Sequence, residues 1–176
     1  MTRHLYEKIL GASWAELPES TRFLHSPAPV CELVGQADIQ RGGNALARLL
    51  ASAVGLPSAG TAIPARVRVT ATNDGELLER WYAQQRFATW QWERDGLLLE
   101  QFGPFTLSFA LTGAETGIKF LLRRVRLWRM PLPKALRPHI SASERSADGA
   151  HLFNVELRLP LVGLIARYAG SLRPAG

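Results

Sequence analysis

The residues of this chain best suited to chemistry are charged side chains that share a strand face with apolar ones: Glu100, Glu144 and Arg124. A carboxylate or guanidinium turned into an apolar interior must pair or face a wet cavity, because unpaired buried charge is costly. Paired, such groups form an internal salt bridge with no chemistry. In the wall of a cavity they fix the polar end of a ligand, and a Glu whose pKa is raised by burial serves as a general acid or base. Trp90 and Trp92 share one strand face, and Tyr168 lines up with Ala166 and Leu172, so these three supply apolar walls to the same expected pocket. Glu100 and Glu144 are the candidate catalytic carboxylates; no metal ligand set and no cofactor is expected.

The face assignments rest on turn parity. A two- or four-residue loop at Gly103-Pro104 sets Glu100 opposite Leu107. Phe105, Leu107, Phe109 and Leu111 alternate with Thr106, Ser108 and Ala110, so Glu100 joins an apolar face beside Leu98 and Phe102. A three-residue loop would send it to solvent. Similar parity places Glu144 with Ile140 and Ala142. Arg124 and Arg126 share the parity of Ile118, Phe120 and Leu122, whereas Val125 and Leu127 have the opposite one, which predicts a bulge near Arg123-Arg124.

Other chemistries find little support. His4, His25, His139 and His151 lack metal-ligand spacing and read as surface or helix-end residues. The lone Cys31 excludes an intramolecular disulfide and reads as a small buried residue at a strand start. Gly42-Gly43 precedes a helix, but without the longer glycine spacing and a following Lys it reads as a plain turn. The run Arg123–Arg129, with its interleaved Trp128, is the best nucleic-acid candidate, but a solvated strand face explains it without a partner and is the preferred reading. Nucleic acid is not an expected partner.

The elements that must position these residues are mostly strands. Leu5, Tyr6, Ile9 and Leu10 recur on one helical face up to Gly11, and a second short helix runs from Pro18 to His25. From Val30 the period changes to two. Asn44 then caps a helix over Ala45–Val54 whose apolar surface is interrupted only by Arg48 and Ser52, which predicts burial on most sides. The rest alternates in strands divided by Asn73-Asp74-Gly75, Gln84-Gln85, Asp95-Gly96 and Gly103-Pro104. A long strand over Ile118–Met130 leads to an irregular or one-turn helical Pro131–Pro138 connection, and three more strands follow. The class is mainly β: about ten antiparallel strands, too many to stay flat with open edges. They form a curved sheet or barrel-like fold plugged by helices, with a two-layer sandwich as the alternative.

A length of 176 residues suits one domain over 1–176, divided as a helical cap over 1–28 and a β-rich body over 29–174. The net charge of +6 comes largely from arginine spread along the chain. Charged residues within Met1–Leu10 do not make a signal-peptide core, and Leu161–Ala166 is far too short to span a bilayer. With one Cys, a cytoplasmic setting is expected.

Several stretches in order resemble a bacterial family, domain of unknown function 4166. They include Leu5-Tyr6 with Leu10-Gly11, Leu46–Leu50 before Gly55-Leu56-Pro57, and Glu100–Pro104. Met130–Pro133 with Leu136 and Pro138, then Glu144, Phe153, Pro160–Gly163 and Tyr168–Gly170 complete the likeness. Where the family pattern leads one to expect a basic residue after Glu100, this chain has Gln101. The resemblance implies a free-standing version of a module found elsewhere fused to nucleotide-dependent dehydrogenase-like domains, and it transfers no catalytic residues. Three functions follow as expectations: a binding module for a small apolar or amphipathic ligand; a cofactor-independent cyclase or isomerase using an interior Glu; an interaction domain for a dehydrogenase-like partner.

Overall fold

A computed structural model describes residues 4–175. The chain opens with α1 (Leu5–Leu10), a 3-10 turn over Gly11–Trp14 and α2 (Glu19–Leu24). Gly11 ends α1 with φ +57°, a backbone that glycine adopts without strain. There follow β1 (Val30–Arg41), α3 (Ala45–Ala53), β2 (Gly60–Thr72), β3 (Gly75–Tyr82), β4 (Gln85–Arg94), β5 (Leu97–Phe102), β6 (Phe105–Ala114) and β7 (Gly117–Leu127). A two-residue β8 (Met130–Pro131), a 3-10 turn at Lys134–Leu136, then β9 (His139–Ala147), β10 (Ala150–Leu159) and β11 (Gly163–Pro174) complete the chain.

Strands β1 to β7 pair in chain order, β7 passes directly to β9, and β9, β10 and β11 lead back to β1. The result is a ten-stranded antiparallel barrel, with the short β8 hanging as a flap from the end of β7. Closure leaves these strands no open edge. The β7–β9 seam is short, with five residue pairs from Gly117↔Arg145 to Leu121↔Ser141. Gly117 sits in that seam at φ +131°, where a side chain would overlap the Glu144 carbonyl oxygen.

The helices close the two ends differently. Tyr6, Leu10 and Leu17 from the N-terminal segment pack on Leu98, Phe109 and Ile118 and seal one end. At the other end α3 rests on β11 and β1 through Ala47 and Ala51, with Leu56, Ile165 and Ala166 beneath. Asn44 caps α3 by accepting a 2.7 Å hydrogen bond from the Ala47 amide. Contrary to the expectation of burial on most sides, α3 buries only that narrow alanine stripe and leaves Leu46 and Leu49 exposed. The helix lies across the barrel mouth instead of inside it. Among the described residues no helix is long and apolar enough to cross a membrane.

Candidate functional site

Alternation assigns each strand an inner face, and the inner faces enclose a cavity of about 160 Å³. Its wall is mainly apolar, with Phe87, Phe102, Leu107, Phe109, Phe120 and Val155 among its residues. Tyr6, Leu24 and His25, at the capped end, are buried. Phe87, Phe102, Leu107, Val155 and Leu157, toward the α3 end, are half-buried, as are Phe120, Ile140 and Ala142 beside the β7–β9 seam.

One polar group spans β3, β4 and β5. Arg80 donates from Nη2 to Glu100 Oε1 at 3.1 Å and from Nη1 to Thr89 Oγ1 at 3.0 Å, and the Thr89 hydroxyl donates to Glu100 Oε1 at 2.6 Å. The guanidinium lies over the Phe87 ring, 5.0 Å from its centroid. Burial opposes the charge of Arg80, but Glu100 beside it more than offsets this, and its pKa is raised. Tyr82 and Tyr168 flank the group, with ring centroids 6.1 Å apart, and burial pushes the Tyr168 phenol up to about 12.

A second group lies under the cap. His25, at the C-terminal end of α2, sets its Nε2 2.6 Å from Glu144 Oε2, and His151 on β10 places Nε2 3.9 Å from the same oxygen. Tyr6 stacks on His25 with centroids 3.6 Å apart and donates its hydroxyl to Gln91 Oε1 at 3.2 Å. Burial alone would raise the Glu144 pKa; the charge and hydrogen bond of His25 prevail, with His151 and Arg80 adding to them, and hold it at about 2. Burial pushes His151 below the usual histidine range. The Nδ1 atoms of both imidazoles are buried without a hydrogen-bond partner among the described residues.

The sequence-derived candidates divide accordingly. Glu100, Glu144 and Tyr168 line the cavity; Trp90, Trp92 and Arg124 do not. The turn after β3 is Ala83-Gln84, one residue before the expected Gln84-Gln85, and Tyr82 pairs with Gln85. On β4 it is Phe87, Thr89 and Gln91 that face inward. Trp90 lies outside beside Leu77 and Gln101, and Trp92 beside Leu99. A wet inner face had disguised itself as an outer one. Arg124 is turned out by a bulge: Ser108 pairs with Arg124 but Phe109 with Leu122, leaving Arg123 extra. The bulge falls where the parity conflict predicts it, and it returns Val125 to the interior, opposite Leu107.

Sequence reasoning missed Arg80, His25 and His151. A signal for Arg80 was present, because the Asn73-Asp74 turn pairs Val67 with Arg80 and so aligns it with an apolar face. His25 and His151, read as surface or helix-end residues, are buried at 2% and 1% exposure. No local pattern marks His25, which meets Glu144 from a helix end, whereas the Asp148-Gly149 turn pairs His151 with Ser146 and so aligns it with the face of Glu144.

With this geometry established, the comparisons are informative in one direction. The family described as "Domain of unknown function (DUF4166)" matches residues 17–172. The chain belongs to the DUF4166 family. No curated protein and no solved structure matches it. The DUF4166 match covers β1 through Leu172 of β11 and both His–Glu contacts, and begins after α1, the helix that brings Tyr6. Among the described residues of this DUF4166 chain, no three His, Cys, Asp or Glu side chains are arranged to hold a metal ion.

One further carboxylate in the barrel is an energetic liability. Glu76, only 3% exposed, has its Oε2 unpartnered among the described residues, and burial raises its pKa. A carboxyl with a raised folded pKa destabilises increasingly as pH rises through its unfolded value, here 4.5. Glu76→Gln is therefore expected to stabilise the domain at pH 7 by about 1 kcal/mol. The gain should vanish below about pH 4, where both side chains are neutral. Thermal melts of the two proteins at both pH values check this, and a loss of stability at pH 7 would contradict it.

Proposed function

We propose that this domain binds one small amphipathic molecule inside the barrel. The observation that carries the reading is an unfilled, partly polar interior: about 160 Å³ of space between apolar walls and two charged groups. A cavity of roughly 150 Å³ accommodates a benzene-sized ring. The ligand is accordingly a single-ring or short-chain compound, well below the usual drug-sized pocket occupant.

Its polar end follows from hydrogen-bond bookkeeping. A carboxylate only accepts, and Glu100 and Glu144 both line the cavity, so the polar end of the ligand is a donor. A ligand hydroxyl supplies the matching donor, while Phe87, Phe102 and Leu107 receive the apolar body. The reaction-based alternative is less well supported: a carboxylate held at about 2 is a poor proton donor or acceptor near neutral pH.

A thermal-shift screen of phenols, short alcohols and ring-sized hydrocarbons tests the proposal. At a hundredfold excess over its Kd a ligand adds about 2.7 kcal/mol, or roughly 5–10 °C in a domain of this size. Phenols and alcohols are expected to outperform hydrocarbons of equal size. A flat response across all three classes would sink the reading.

A further inference from the structure

The two ends of the barrel have opposite surface chemistry. At the end covered by α1 and α2 the hairpin turns are Asn73-Asp74, Asp95-Gly96, Glu115-Thr116 and Asp148-Gly149. The N-terminal segment adds Glu7, Glu16 and Glu19 there, against Lys8 and Arg22. At the opposite end, segments 39–58, 83–86, 101–106, 122–139 and 157–167 contain neither Asp nor Glu. They present the exposed cations Arg48, Arg126, Arg129 and Lys134. Charge that looks scattered along the chain is sorted by the fold.

The same end concentrates exposed large apolar side chains. Trp128 and Leu161 occupy turn tips at 72% and 107% exposure, and Leu46, Leu49, Met130 and Leu136, in the same segments, are exposed as well. Exposed apolar groups clustered within a basic rim mark an interaction surface. The turn backbones add an independent indication. Trp128 and Arg129 have φ of +44° and +76°, and Leu161 has +64°. Asn and Gly adopt this region readily and are the usual residues of such hairpin turns, whereas a bulky side chain is strained there. The four turns at the acidic end hold Asn, Asp, Gly, Glu and Thr. Strained, exposed Trp and Leu at the basic end contribute nothing to the core.

We propose that the basic end of the barrel docks on an anionic lipid bilayer. Arg48, Arg126, Arg129 and Lys134 meet the headgroups, and the apolar tips enter the interface, where Trp is favoured. Charge complementarity selects an anionic surface. The aliphatic tips distinguish it from a nucleic acid, which would engage arginines and stack on Trp128 but offers nothing to Leu46, Leu49 or Leu161. The inference is independent of whether the cavity holds a ligand.

Flotation of the full chain with phosphatidylcholine vesicles, with and without phosphatidylglycerol, tests it. Binding is expected to require phosphatidylglycerol and to weaken as salt rises. The R126Q/R129Q variant should lose about 30-fold in partitioning, and Trp128→Asn at least about tenfold. Because Asn suits the turn, Trp128→Asn should melt no lower than the parent, which separates docking from a structural role. No binding to phosphatidylglycerol vesicles, undiminished binding by both variants, or binding to a poly-dT oligonucleotide in place of vesicles would each overturn the proposal.

Discussion

Glu144→Gln is expected to lower the stability of the domain by roughly 3 kcal/mol at pH 7, and to remove the acid limb that the carboxyl itself contributes. The carboxyl titrates at about 2 in the folded protein against 4.5 for the free side chain. Its folded pKa is depressed, so its contribution is fully present above about 4.5 and is lost as pH falls through about 2. Parent and variant should thus differ most near neutrality and converge in strong acid. His151 acts in the same direction, because its pKa is also depressed and protonation of the buried ring opposes folding. The variant therefore retains an acid limb belonging to the imidazole, enlarged because the Glu144 charge that favours the protonated ring is gone. Gln keeps an acceptor for His25 Nε2–H at nearly the same volume, so a cavity or lost packing does not account for the change. Denaturant titrations across pH measure it. A constant offset at every pH would show that the 2.6 Å contact with His25 carries no net charge–charge stabilisation.

The other large effect is expected at Arg80. Arg80→Met leaves Glu100 in the wall without its cation, and breaking a largely desolvated pair costs about 3–5 kcal/mol. For a chain of this size that is a drop of about 10 °C in Tm. Thr89 alone remains to donate to Glu100, which softens the loss without removing it. Adding Glu100→Gln should restore most of the stability, because a neutral amide no longer needs the guanidinium. The expected signature is a double mutant more stable than the Arg80→Met single. If the two changes add independently, the 3.1 Å contact is solvated and the Arg80–Glu100 pair does not anchor the cavity wall.

Both sites lie on one polar seam, from Glu100, Arg80 and Thr89 through Gln91 and Tyr6 to His25 and Glu144. Thr89 and Gln91 are successive inward residues of β4, so a single strand connects the two charged groups. This continuity explains why the sequence misleads at β4. Alternation identifies two faces but not which is inside, and the usual rule awards the interior to the tryptophans. Here the interior takes Thr89 and Gln91, while Trp90 and Trp92 are half-buried on the outer surface.

What the sequence determines by itself is local. The period-two pattern from Val30, the Asn and Gly turn residues and the caps at Gly11 and Asn44 specify the mainly β class and most element boundaries. A two-residue turn at Gly103-Pro104 is enough to turn Glu100 inward opposite Leu107, because strand parity cannot change between a turn and its flanking residues. Tertiary structure alone decides how the strands close. The β1–β11 seam joins segments distant in the chain and the β7–β9 seam forms across the Trp128–Pro138 connection, so no tight turn encodes either. Packing of the helical cap on the barrel is what places His25 against Glu144, and closure separates an acidic end from a basic one. Those juxtapositions depend on three-dimensional distance between groups that share no hairpin, and periodicity along a single strand carries no record of it.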